Sequence, residues 1–143
     1  MAEALFRAHL QQLRPEDWQC WRVESAGTWA NDGESISANS QQVLVRRGLD
    51  LKNHRSQTIR ADLLESFDLI LTMEAGHKEA IRVEFPNIAN RVFLMSEMIN
   101  TCISVKDPYG GPVEAYEQTA KTLENMITKG FVRILQLVLS RYA

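Results

Sequence analysis

Apolar positions recur first at helical spacing. Leu5, Phe6, His9, Leu10 and Leu13 fall on one face, and Pro15 closes the segment, which predicts a helix over Ala2–Leu13. Trp21 to Ser25 then alternates and runs into Ala26-Gly27, the pattern of a short strand leading into a loop. Residues 28–39 are rich in Gly, Asn, Ser and Asp and read as loop. A helix follows from Ser40 to Arg47, with Val43 and Leu44 inward and Gly48 as its C-terminal stop. Ala61–Ser66 predicts a short helix. Asp68 to Met73 is a continuous apolar run of strand length, as in a sheet covered on both faces. Glu74–Glu84 predicts a helix that stops before Pro86, and a further strand falls within Arg91–Met95. Thr101–Gly111 is loop. Val113–Arg141 forms one long helical pattern, with Met126, Phe131, Leu135 and Leu139 on its stripe.

Helices alternating with strands imply a parallel sheet with helices on both faces. The expectation is a three-layer, flavodoxin-like α/β fold in a single domain spanning residues 1–143. Composition supports a folded domain: the chain is 45% hydrophobic and 24% charged. A net charge of −2 gives no basic excess for nucleic acid or anionic membrane. No apolar run is long enough to span a bilayer, and the opening residues do not form a signal peptide; a cytoplasmic protein is expected. Two cysteines, Cys20 and Cys102, are too few for a disulfide framework or a zinc cluster. Both are expected to be small buried apolar residues, with no metal or cofactor.

Candidate chemistry is sparse. Asp107-Pro108-Tyr109-Gly110-Gly111 is either an ordinary turn or a fixed acid beside an aromatic. Ser25 and His54 are lone polar residues without the motif of a serine–histidine relay. His77 and Lys78 read as a solvated helix face, and Trp18, Trp21 and Trp29 as packing.

Taken in series, four segments carry more. Met1 to Arg7 (MAEALFR), Arg22 to Thr28 (RVESAGT), Glu65 to Met73 (ESFDLILTM) and Asp107 to Gly111 (DPYGG) resemble the low-molecular-weight protein tyrosine phosphatases, in order and spacing. Asn53-His54, His77-Lys78 and DPYGG in place of DPYY are similar to the bacterial branch, which includes protein-arginine phosphatases.

The resemblance implies hydrolysis of phosphotyrosine or phosphoarginine on proteins through a phosphocysteine intermediate. It implies Asp107 as the general acid and Tyr109 as a wall of the substrate cleft, with Trp29 near the opposite wall. Ser25 and His54 would buttress the phosphate-binding loop.

The family's nucleophile lies in a Cys-x5-Arg-Ser-Pro loop, between a first strand and the helix that here begins near Met1. No Cys-x5-Arg occurs in this sequence: the position six after Cys20 is Ala26, and six after Cys102 is Pro108. The expectation is therefore an N-terminally truncated domain without its central first strand, inactive as written. Its open sheet would close up or recruit another copy by strand exchange. A catalytically dead binding or regulatory module is the alternative. An arsenate reductase of the same fold is disfavoured, because Met73–Glu84 contains no cysteine.

Overall fold

A computed structural model describes residues 1–27, 33–51 and 53–142. They gather into two compact units, one of residues 1–58 and 108–124, the other of residues 59–107 and 125–143.

The first unit opens with α1 (Ala2–Leu13). Leu5 and Leu10 of the expected face are buried, whereas Leu13 is exposed beside the helix end. The Arg14 amide closes the helix on Leu10 O at 2.8 Å, and its guanidinium pairs with Asp17. A 3-10 turn at Trp18–Cys20 follows.

Residues 21–27 then alternate half-buried and exposed, as the sequence pattern demands. They form no strand, in contrast to the expectation for Trp21–Ser25. A ladder needs a neighbouring backbone as well as an alternating pattern. Here a single parallel bridge joins Gly27 to Thr58.

The next helix, α2 (Ala38–Val45), starts two residues before the expected Ser40, because Ser37 caps it by accepting the Ser40 amide at 3.3 Å. Val43 and Leu44 are fully buried, as expected. Gly48, at φ +71°, supplies the left-handed residue that ends this segment. Just past α2, Arg47 donates to both oxygens of Glu117 (2.6 and 2.9 Å) and to Glu124 (2.7 Å), on the first half of α5 (Val113–Leu139). The two carboxylates hold the guanidinium firmly charged, the Glu117 hydrogen bond being the larger influence.

In the second unit, α3 (Ala61–Glu65) leads to β1 (Ile70–Thr72), α4 (Ala75–Glu84) and β2 (Val92–Leu94). The strands pair in parallel, Ile70 with Val92 and Thr72 with Leu94. Both are shorter than the apolar runs that predicted them. A parallel pair needs a crossover, which α4 supplies. Leu64, Ile81, Ile88 and Val92 form a buried cluster, with Ile59, Ile70 and Phe85 packed against it.

Two 3-10 turns that apolar periodicity did not suggest, Pro86–Arg91 and Met95–Ile99, flank β2. Lys78, expected on a solvated face, instead bonds both oxygens of Glu97 at 2.9 Å. His77 is exposed, as expected.

The long helix buries Met126, Ile127, Phe131 and Ile134 in this unit. Leu139, expected on the inward stripe, is exposed: five residues past the buried Ile134, it falls about 140° around the helix from it. Gly130 lets α5 approach the chain at Met98: an added Cβ would stand 2.6 Å from Met98 Cβ. Cys20 and Cys102 correct another expectation. Both lie in short turn or loop segments outside the regular elements, and both are exposed.

Candidate active site

The first turn of α1 carries an acid on the helix's inward side. Glu3 is only 8% exposed, and every oxygen of its carboxylate has a partner. The Ser25 hydroxyl donates to Oε2 at 2.6 Å, and His54 Nδ1 lies 3.5 Å from the same oxygen. Arg7, one turn along α1, pairs with Oε1 at 3.0 Å and also donates to Val23 O. Burying a carboxylate is costly unless partners of this kind replace its water contacts. Its position in the first turn of a helix favours negative charge as well.

Each partner is itself placed. The chain around Ser25 is held by Gln57, whose side-chain amide donates to Ser25 O at 3.0 Å and to Glu24 at 3.2 Å. The Gly27 amide returns a bond to Gln57 O at 2.9 Å. Glu24 stays ionised below the usual carboxylate range, mainly through its bond from Arg22. His54 closes a local turn on Leu51 O at 2.8 Å. Beside this group lies a cavity of about 370 Å³, lined by Glu3, Arg7, Asp50, Leu51, Asn53 and His54. Among the described residues no three His, Cys, Asp or Glu gather as metal ligands would.

Asp107 belongs to the second unit and is exposed at the end of a tethered segment. Three successive residues before it are tied down. Ile103 O accepts from the buried Ser96 hydroxyl at 2.7 Å, Ser104 Oγ accepts the Ala75 amide at 3.0 Å, and Val105 N donates to Met73 O at 2.7 Å. Asp107 thus stands two residues past a tethered segment.

Tyr109 belongs to the first unit, on a turn closed by the Gly111 amide on Pro108 O at 2.9 Å. Gly110 takes φ +82°, and Asn39 of α2 donates to Gly111 O at 3.2 Å. The Tyr109 ring is 82% exposed. Trp29 lies outside the described residues.

Ser25 and His54 are therefore brought together, and what joins them is Glu3, which sequence reasoning passed over. The signal was present: Glu3 shares its helix stripe with Phe6 and Leu10, three and seven residues on, and a charge there demands partners. Arg7 and Asp50 at the cavity were likewise unread.

A parallel β1–α4–β2 unit and helices carried on loops with fixed polar groups define an α/β protein whose helices flank a parallel sheet. The family model for low molecular weight phosphotyrosine protein phosphatase matches residues 1–137. The protein-arginine-phosphatase of Bacillus subtilis (strain 168) is 31% identical over 128 residues, covering 89% of this chain and 82% of that protein.

Among solved structures, a low molecular weight protein tyrosine phosphatase from T. tengcongensis superposes with a TM-score of 0.83 at 32% identity. That match covers 92% of this chain and 88% of that one. The YwlE arginine phosphatase from Geobacillus stearothermophilus gives a TM-score of 0.82 at 27% identity, covering 99% and 87%. The chain belongs to the low-molecular-weight phosphotyrosine protein phosphatase family.

Proposed function

We propose that this chain carries the supporting and acid-donating groups of a protein phosphatase acting on phosphotyrosine or phosphoarginine. The observation that carries the reading is the convergence of Ser25 and His54 on Glu3, in the first turn of α1. In the family that turn follows the phosphate-binding loop, so a fixed polar group beneath it holds the loop's backbone donors on the phosphate.

In this reading a loop cysteine attacks phosphorus while Asp107 gives its proton to the leaving oxygen or nitrogen. The aspartate then takes a proton from the water that attacks the phosphocysteine. Tyr109 lines the cleft for the substrate side chain, with Trp29 assigned to the opposite wall by the family likeness alone. Phosphoryl transfer depends on positioning and charge stabilisation, and the loop supplies both. No Cys-x5-Arg occurs among residues 1–143, so these residues by themselves do not turn over phosphate esters.

The partner is a phosphorylated protein in the cytoplasm, and no cofactor takes part. Among the described residues β1 pairs with β2 alone. That arrangement supports association of residues 1–143 with a second copy through the open strand edge.

The test compares residues 1–143 alone with the same residues preceded by a strand and a Cys-x5-Arg-Ser-Pro loop. The first should be silent towards p-nitrophenyl phosphate, and the second should show vanadate-sensitive hydrolysis lost on changing the loop cysteine to serine. A folded but silent second protein would sink the enzyme reading and leave a binding module.

A further inference from the structure

The C-terminal turn Ser140–Tyr142 is held to the second unit through one carboxylate. The Tyr142 hydroxyl donates to Asp68 Oδ2 at 2.7 Å, while Arg141 Nε lies 3.3 Å from Asp68 Oδ1. Asp68 stands two residues before β1, so the contact joins the last turn of the chain to the start of the sheet. A third bond, Ser140 Oγ to Leu137 O at 2.7 Å, stays within the end of α5 itself. No residue of the turn is buried, and the Tyr142 ring is 74% exposed.

This contact works only while the phenol has a proton to give. The Asp68 carboxylate can only accept, and its hydrogen bond keeps the Tyr142 hydroxyl protonated above the usual phenol range. A phosphoester on the same oxygen has no proton to donate. It would set nearly two negative charges against the carboxylate that now accepts the bond. Arg141, beside it in the turn, would then have a dianion to pair with in place of Asp68. One modification would thus break both bonds that hold the turn.

The chain has three tyrosines, and their settings differ. Tyr116 is buried on α5. Tyr109 sits in a turn closed at its base and tethered by Asn39. Tyr142 lies in a turn with nothing buried, and segments with few buried contacts open at little cost into the extended form an acceptor must take.

We infer that Tyr142 is a site of tyrosine phosphorylation, and that the phosphoester releases the C-terminal turn from Asp68. The donor is ATP on a protein tyrosine kinase. The Tyr142 oxygen attacks the γ-phosphorus, the bond to the ADP oxygen breaks, and ADP leaves with the electron pair. The phenolic proton passes to the kinase's base. The inference does not rest on the reading of the active site, because Asp68, Arg141 and Tyr142 play no part in it.

The experiment uses the full chain with ATP, Mg²⁺ and a broad-specificity soluble tyrosine kinase, with phosphate mapped by mass spectrometry. Amide hydrogen exchange is followed at residues 140–142. Phosphate should appear on Tyr142, be absent there in Tyr142→Phe, and raise exchange at the three amides. Asp68→Ala, which frees the hydroxyl beforehand, should take phosphate roughly two- to fivefold faster, the range for losing a modest exposed hydrogen bond. Absence of phosphate on Tyr142 would overturn the site. Unchanged exchange in the phosphorylated chain, or an unchanged rate in Asp68→Ala, would overturn the release. Should Asp68→Ala lose its fold, Tyr142→Phe, which lacks the hydroxyl bond and keeps the Arg141 contact, must still raise exchange at these amides above the parent's.

Discussion

Glu3 shows how one side chain can organise a site. Its carboxylate serves Ser25, His54 and Arg7 at once from a nearly buried position. Replacing it with Ala strands a guanidinium and an imidazole, so Glu3→Ala should lower stability by about 1–3 kcal/mol in urea titrations. Ser25→Ala and His54→Ala end on the same oxygen, so their costs should not add. A double-mutant cycle with a coupling of about 0.5 kcal/mol or more is expected, and strict additivity would mean the cluster is not one unit. The family likeness singled out Ser25 and His54, whereas Glu3, the acid on which the structure brings them together, carried no such signal. Helical spacing marks where a face points, and an acid on that face looks like an irregularity until its partners, 22 residues and more away in sequence, are in place. The exposed cysteines were misread for a related reason: residue type favours burial, but Cys20 and Cys102 lie in turn and loop segments with no face to bury.

Among elements, helices were read nearly to their ends and strands were not. A helix makes its own hydrogen bonds, so capping residues and periodicity suffice; even the error at α2 comes down to one cap, Ser37. Strand limits depend on the neighbour. The extended segment at 21–26 has the side-chain alternation of a strand without the pairing, and β1 and β2 end where their mutual ladder ends. The 3-10 turn at Met95–Ile99 is fixed by Glu97, which accepts the Leu94 amide at 2.6 Å and both bonds from Lys78. Burial opposes its ionisation, but the Leu94 amide and Lys78 outweigh this and hold it below its ordinary value of 4.5.

A depressed carboxyl contributes stability that is present above its unfolded pKa and lost as pH falls through the lower folded value. Stability should therefore drop on acidification below about pH 4.5, and Glu97→Gln should remove part of that slope in melts between about pH 5 and pH 3. An unchanged slope would contradict the role given to Glu97. At the helix crossing, Gly130→Ala gains helix propensity but drives a methyl into Met98. The net change should be destabilising, by about 1–3 kcal/mol in chemical denaturation. A neutral or stabilising result would mean that the two backbones have room to part.

For the whole molecule, α/β alternation foretold a parallel pair joined by α4, and four short segments in series foretold the family. The division into two compact units had no sequence signature, because no composition shift or linker marks residues 58–59 or 107–108. Asp107 stands just past the tethered segment of one unit and Tyr109 opens the turn of the other, two residues apart in sequence. The proposed chemistry asks Asp107 to serve as the acid and the Glu3 cluster to support a phosphate loop. Both demands meet in a single kinetic comparison. In residues 1–143 carrying an N-terminal strand and Cys-x5-Arg-Ser-Pro loop, Asp107→Asn should be set against the parent on phosphotyrosine and phosphoarginine peptides. The account predicts a fall in kcat of about 100-fold or more on the preferred substrate, with the fold retained. A variant as active as the parent would contradict it.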